Sequence, residues 1–323
     1  MLGAVFFTTV AAVSGVRVAI PLRLRGLMFV VLGVMLGSSF TPEVLEGADR
    51  WLVSLAGILL YVVVVAGVVS AVLRRFAGYD PITAFFAGTP GGLAEMTLIG
   101  GAMGGDERTI ALTHALRIVI IVFGVAFGFQ LLAGYVPEQR AAQHVAFAAV
   151  PPADLLLLAA CGVVGALAGR WLRLPAGLLL GPLILSAAVH LTGLTETPPP
   201  SVLVAAAQVI VGGATGCRFA GMPLVHILRT LAVALGGSAV MLAGTLGFAA
   251  ALAPLAGLSF PALVLAFAPG GLAEMALIAL TLGIDVAFVT THNITRVLAV
   301  LVLAPAIFRL VGGRPRPPRA GRS

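Results

Sequence analysis

Apolar runs of helical length, separated by short polar or proline-rich breaks, make up nearly the whole chain. The first half carries five, at about 1–16, 26–40, 51–73, 82–104 and 109–135. The second carries six, at about 155–169, 175–193, 202–217, 225–253, 261–282 and 286–309. At about 1.5 Å per residue, a run such as 51–73 is long enough to cross a hydrocarbon core of about 30 Å. The pattern predicts an all-α integral membrane protein with about 9–11 apolar segments.

Two of these runs are interrupted in the same way. Residues 89–99 read Thr-Pro-Gly-Gly-Leu-Ala-Glu-Met-Thr-Leu-Ile and residues 268–278 read Ala-Pro-Gly-Gly-Leu-Ala-Glu-Met-Ala-Leu-Ile, so that from Pro to Ile nine of ten positions agree at an offset of 179. Proline removes a backbone donor and the glycines admit unusual dihedrals, so each stretch predicts a broken or re-entrant helix. The same offset pairs Pro21 with Pro200, Gly33 with Gly212, Gly37 with Gly216, Phe40 with Phe219, Gly57 with Gly236, Asp106 with Asp285 and Arg117 with Arg296. The chain is therefore expected to be a duplicated unit, as in many transporter folds: a first repeat over 1–136, a linker over 137–153, a second repeat over 154–311 and a disordered basic tail over 312–323. The segment from Asp154 to Arg173 has no upstream partner. Either the first repeat lacks its opening helix or the true start lies upstream.

Composition strengthens the membrane reading. The chain is 60% hydrophobic and 10% charged, with a mean hydropathy of +1.13, against roughly 25% charged in an ordinary soluble domain. Its net charge of +7 comes from arginine alone, and five of the nineteen arginines fall between Arg309 and Arg322. Such a tail reads as a cytoplasmic anchor, not a nucleic-acid surface. With the C-terminus cytoplasmic and each Pro-Gly-Gly segment dipping in and returning, Arg17, Arg23, Arg25, Arg74, Arg75, Arg170, Arg173, Arg218 and Arg229 all fall inside. Glu43, Glu46, Asp49 and Glu196 fall outside. Matching loops then face opposite sides, which makes the halves inverted repeats in a bacterial inner membrane. The N-terminus lacks the basic start of a secretory signal, and Cys161 and Cys217 lie in separate segments without disulfide or metal spacing.

The breaks also concentrate the candidate chemistry. A helix restarting after Pro90-Gly91-Gly92 or Pro269-Gly270-Gly271 leaves free N–H groups that suit an anion, while the carbonyls just upstream suit a cation. Glu95 and Glu274 follow each break. Either can be an ion-coupling carboxylate for H⁺ or Na⁺, or simply a cap on the restarted helix. Arg117 shares a helix face with His114, and Arg296 with His292 beside Asn293. These faces could neutralise the Glu or hold a substrate carboxylate, or the arginines could snorkel. No two of the five histidines stand at metal-ligand spacing. Asp106 and Asp285 read as helix N-caps, the Gly33/Gly37 and Gly212/Gly216 pairs as close-packing positions, and the Pro175 to Pro182 run as a broken or tilted scaffold helix.

The duplicated Pro-Gly-Gly-Leu-Ala-Glu-Met, together with the stretch Leu-Gly-Ser-Ser-Phe-Thr-Pro-Glu at 36–43, resembles the AbrB-type duplicated membrane protein family. That family is often labelled ammonia monooxygenase or transcriptional regulator and is distinct from the small soluble DNA-binding AbrB. The resemblance implies a multi-pass inner-membrane protein linked to regulation of gene expression, with Pro90, Gly91, Gly92, Glu95, Pro269, Gly270, Gly271 and Glu274 as its motif residues. The short N-terminus departs from a complete duplicated pattern. The residues give the monooxygenase label no support, because a copper or iron site needs His or carboxylate clusters. The expected function is a secondary transporter of a small polar or anionic solute coupled to H⁺ or Na⁺, and the alternative is a membrane-embedded regulator without transport. Expected partners are the lipid bilayer and the solute, with a homo-oligomer allowed by the reading; neither an enzyme activity nor a cofactor nor nucleic-acid binding is expected.

Overall fold

The computed structural model describes residues 1–16, 18–132, 145–221 and 224–310. Every helix and turn among them belongs to an all-α architecture, in the order α1 (Leu2–Val13), α2 (Leu22–Gly37), α3 (Pro42–Leu45), α4 (Trp51–Phe76), α5 (Pro81–Gly88), α6 (Leu93–Ala102), α7 (Glu107–Leu132), α8 (Pro152–Trp171), α9 (Gly177–Leu191), α10 (Ser201–Gly216), α11 (Leu224–Ala256), α12 (Phe260–Phe267), α13 (Leu272–Leu282) and α14 (Val286–Leu310). Among the described residues six helices are long and apolar enough to cross a membrane: α4, α7, α8, α10, α11 and α14. The tail over 312–323 and residues 137–144 of the expected linker lie outside the described residues. From residue 145 the chain forms a short turn at Phe147–Ala149 and enters α8 at Pro152.

Helix boundaries recur at the offset of the sequence repeat. α2 and α10 have identical bounds at a shift of 179, as do α5 and α12, while α6 with α13 and α7 with α14 start at matching residues. α8 has no upstream counterpart. The compact units nevertheless cut across the two sequence halves. One unit comprises Met1–Asp49, Phe129–Gly221 and Ala276–Ala287; the other comprises Arg50–Gly128, Met222–Met275 and Phe288–Ser323.

The first unit is held by backbone approach. In α2, a Cβ on Gly33 would collide with the Leu179 carbonyl oxygen of α9. One on Gly37 would come within 2.5 Å of both the Leu183 oxygen and the Ser186 Cβ. Ser186 uses that proximity to donate a hydrogen bond to the Val34 carbonyl at 2.8 Å. α9 continues through Pro182, and Gly165 of α8 lets that proline approach, since a Cβ there would stand 2.6 Å from the Pro182 Cα. At the equivalent of Gly37, Gly216 of α10 faces α1, where a Cβ would come within 2.6 Å of the Thr9 nitrogen. Lipid tails are as apolar as leucine, so helices gain little by hiding apolar surface from them; small residues that let backbones touch supply the attraction instead.

The second unit has the opposite character. α4 buries Ser54, Tyr61 and Ser70 on its inward face and exposes Leu52, Leu59, Leu60, Val63 and Val64 on the other. The same buried face also carries Ile58, Val62, Val65 and Val69, so the polar groups are isolated positions in an apolar interior, while an apolar exterior of this size is stable against lipid and costly against water. The two sequence halves interlock here. Tyr61 of α4 packs edge-on to Phe248 of α11 and Phe267 of α12, with ring centroids 5.5 and 5.4 Å apart, and its hydroxyl meets Thr245 at 3.1 Å. Phe85 and Phe86 of α5 pack against Phe308 of α14.

The packing of the first unit predicts that Gly37→Val lowers the melting temperature of the detergent-purified protein, at a cost of roughly 1–3 kcal/mol for forced overpacking. Gly67→Val serves as the control, because a Cβ at Gly67 meets nothing within 4 Å. Equal melting curves for the two variants would contradict close backbone contact at Gly37.

Candidate functional site

In the second unit, α5 ends at Gly88 and α6 begins at Leu93, so Thr89 to Gly92 lie between two helices. Asp80 starts α5 by accepting hydrogen bonds from the backbone of Ile82 and Thr83 at 3.1 and 3.2 Å. Asp106 does the same for α7, accepting from Arg108 and Thr109 at 3.0 and 3.2 Å, as expected of an N-cap. The Asp106 amide in turn donates to Thr83 Oγ1 at 2.8 Å. The chain leaving α6 therefore returns to the place where α5 began. α12 and α13 are separated in the same way, between Phe267 and Leu272, and α14 starts directly after Asp285.

A helix that stops leaves carbonyls without donors. Arg117, reaching across from α7, supplies them: Nη1 donates to the Thr89 carbonyl and Nη2 to the Gly91 carbonyl, each at 2.8 Å. Arg296 of α14 does the equivalent task, donating from Nη1 to Phe267 at 3.4 Å and to Ala268, and from Nη2 to Gly270 at 3.0 Å. Thr89 corresponds to Ala268 and Gly91 to Gly270 at the repeat offset. The planar fork suits this work, because two nitrogens can address two carbonyls that a point-like ammonium could not span. The terminal nitrogens offered by the sequence reading to a Glu or a substrate carboxylate are thus engaged by the backbone.

The carboxylates lie at the other side of each gap. Gly92 is the N-cap of α6 and Glu95 its third residue. Glu95 folds back so closely that a Cβ on Gly92 would collide with its Oε2, and Glu274 lies over Gly271 in the same manner. Each carboxylate therefore lies beside the N-terminal end of its own helix, where the dipole favours an acidic residue. Glu274 is buried, at 6% exposure, and Glu95 is half-buried. Pro90 and Pro269 occupy the gaps themselves, where a missing N–H costs nothing.

The histidines divide. His114 donates from Nε2 to the Phe86 carbonyl at 2.8 Å. Its counterpart at the repeat offset is Asn293, whose Nδ2 meets the equivalent Leu265 carbonyl at 3.4 Å and the Val289 carbonyl at 2.8 Å. His292 shares a helix with Arg296, and its ring centroid lies 6.4 Å from that of Phe267 at the edge of the gap. Its Nδ1 bonds the Phe288 carbonyl at 2.8 Å, its Nε2 meets Ser54 Oγ at 2.8 Å, and its ring lies against Trp51. It ties α14 to α4, whereas His114 bonds the carbonyl just before the first gap.

Sequence reasoning missed Thr89, Tyr61, Thr245, Ser54 and Ser238, all buried polar residues of this unit. A polar residue inside a spanning run was the available signal. Among the described residues no group of three or more His, Cys, Asp or Glu stands close enough to hold a metal ion.

A family profile described as "Transition state regulatory protein AbrB" matches residues 1–312. Among curated proteins, the "Uncharacterized protein YhjN" of Bacillus subtilis strain 168 is 30% identical over 299 residues, covering 87% of this chain and 77% of that protein. The protein named "Putative regulator AbrB" of Escherichia coli K12 is 27% identical over 312 residues, covering 96% of this chain and 89% of its own length.

The bonding at the gaps predicts the effect of losing a guanidinium. Arg117→Met should destabilise the protein by roughly 1–3 kcal/mol for each carbonyl left without a donor, and Arg117→Lys should fall between Met and the parent. Thermal unfolding in detergent would order the three. A Met variant as stable as the parent would show that the carbonyls do not depend on Arg117.

Proposed function

This chain belongs to the AbrB family, and we propose that it is a multi-pass bacterial inner-membrane protein that moves a small polar or anionic solute by alternating access, coupled to H⁺ or Na⁺. The observation that carries the reading is the pair of helix breaks in one compact unit, each bridged by a buried arginine and covered by a buried or half-buried glutamate. Paired breaks with charged groups on them are the usual construction of solute and ion sites in transporters built from repeats.

The contact of Thr83 with Asp106 supports a re-entrant path for the first break. With 8 and 10 residues, α5 and α6 span about 12 and 15 Å, which suits a descent to the middle of a bilayer and a return. A re-entrant segment leaves five crossings in the complete second repeat, an odd number, and the arginine distribution then favours inverted repeats with a cytoplasmic C-terminus.

The glutamates are the coupling groups in this proposal. Each faces the free N–H groups of a restarted helix, a position where gain of a proton or Na⁺ would release the carboxylate from the helix end. The names of the relatives favour a second reading, in which the membrane protein regulates gene expression without carrying a solute.

Glu95→Gln and Glu274→Gln preserve side-chain size and hydrogen bonding while removing the charge. Each variant is expected to abolish solute-driven H⁺ or Na⁺ movement in proteoliposomes, read with a trapped pH or Na⁺ indicator against a panel of small carboxylates and inorganic anions, while leaving the protein folded. Flux at the parental rate in both variants would refute the assignment of these residues. If a gene-expression phenotype survives in both while flux is lost, regulation does not follow from transport.

A further inference from the structure

Within the first unit, α2, α8 and α9 gather their arginines at one end. α2 and α9 run parallel: a Cβ on Gly26 would stand 3.1 Å from Leu178 Cδ1, one on Gly33 would meet Leu179 and Pro182, and one on Gly37 would meet Leu183 and Ser186. α8 runs the other way. A Cβ on Gly162 would stand 3.1 and 3.7 Å from the side chains of Val30 and Val34, and one on Gly169 would collide with the Gly177 carbonyl. Arg170, eight residues beyond Gly162, therefore comes level with the start of α2, which holds Arg23 and Arg25. Arg173 follows in the turn between α8 and α9. Arg23, Arg170 and Arg173 are exposed and Arg25 is half-buried. The acidic residues stand at the other end: Asp154 opens α8, Glu43 and Glu196 follow α2 and α9, and no Asp or Glu occurs in 1–42 or 155–195.

Helix stability does not ask for this cluster. A cation near the start of a helix meets the positive end of the dipole, so Arg23 and Arg25 are disfavoured where they stand. In α10, the copy of α2, the corresponding residues are Val202 and Val204. Arg173 holds a φ of 53°, a left-handed position after a helix that glycine would take without strain. No side chain caps α2 or α9, so the amides at their starts add potential of the same sign. The cluster also sits at an apolar boundary. Trp171, next to Arg170, is 83% exposed, and Leu22 and Leu172 are exposed beside it. Tryptophan favours the headgroup layer of a bilayer. Guanidinium forks match phosphate oxygens, and basic clusters between helix ends suit lipid headgroups.

We infer that this end of α2, α8 and α9 is a binding site for the phosphate of an anionic phospholipid, with Arg23, Arg25, Arg170 and Arg173 on the headgroup and the acyl chains along the neighbouring apolar surface. Arg74 and Arg75 provide the comparison. They too are exposed, but they close the last turn of α4, where the dipole favours them. The inference stands apart from the transport reading, because it concerns a lipid held by the first unit and not the movement of a solute.

The test uses the full-length protein in phosphatidylcholine nanodiscs with rising fractions of phosphatidylglycerol. Melting temperature is read at constant ionic strength, and native mass spectrometry identifies the lipid retained. The parent should be stabilised by phosphatidylglycerol in a saturable way, as expected of a ligand bound to the folded state, and should retain it in preference to phosphatidylcholine. Arg23→Gln combined with Arg170→Gln should weaken that binding about twenty-five-fold, at about fivefold for each arginine near a membrane surface. Arg74→Gln combined with Arg75→Gln should leave both readouts at parental values. Equal weakening in the two double variants would reduce the effect to general surface attraction and overturn the inference. So would a parent indifferent to phosphatidylglycerol. Inorganic phosphate that stabilises the parent equally in pure phosphatidylcholine would point to a free anion and refute the lipid assignment. Should the Arg23/Arg170 variant fail to fold, photoreactive phosphatidylglycerol on the parent decides: cross-links are expected in α2 or the α8–α9 turn, and labelling confined to other helices would count against the site.

Discussion

A helix broken inside a membrane must satisfy its own open ends. Water is absent there, and each unpaired carbonyl or amide costs several kcal/mol. The second unit meets this constraint with opposite charges on opposite ends. The guanidiniums of Arg117 and Arg296 occupy the carbonyls where one helix stops, and the carboxylates of Glu95 and Glu274 cover the amides where the next begins. Each charge instead lies at the helix end whose dipole favours its sign, which offsets part of the cost of burying it. The rest of the unit follows from this arrangement. α7 and α14 must run beside the gaps to deliver the arginines, and His114 and Asn293, one turn earlier, add a donor to the preceding carbonyl.

The two units solve the packing problem differently. In the first, Gly33, Gly37, Gly165 and Gly216 bring helix backbones to contact distance, and a single hydroxyl, Ser186, stitches α9 to α2. Such an assembly depends on shape and tolerates little added volume. The second unit relies on directional polar contacts, Tyr61 with Thr245, Ser54 with His292 and the arginines with the gaps. Directional bonds can be exchanged for others in a different arrangement, whereas interlocked backbones resist it.

Much of the fold was legible because the duplicated sequence carries its own ruler. The offset of 179 that aligns Pro90 with Pro269 also aligns the bounds of α2 with α10 and of α5 with α12, and the unpaired segment near residue 154 became α8. Glycine spacing announced the contacts of α2 and α10, and Asp106 its cap. Side-chain targets were not legible. A guanidinium on a helix face can reach a carboxylate, a ligand or a carbonyl, and spacing along one helix does not say what stands opposite. The same limit applies to His292 and Asn293: spacing did not show that Asn293 would bond the Leu265 and Val289 carbonyls while His292 meets Ser54. Nor could the linear order show that the compact units would draw helices from both halves, because adjacency in a membrane is decided by packing between segments far apart in sequence.

Duplication explains why the two breaks are alike, and divergence explains why they differ. Backbone satisfaction leaves no freedom at Arg117 and Arg296, because each carbonyl must find a donor in both copies. The space beside the guanidinium is under no such demand. Filling it with Tyr61, Phe248 and Phe267 gains aromatic packing; leaving it lined by Val69, Gly237 and Ser238 forgoes that packing, while the guanidinium Nε stays without a partner in both copies.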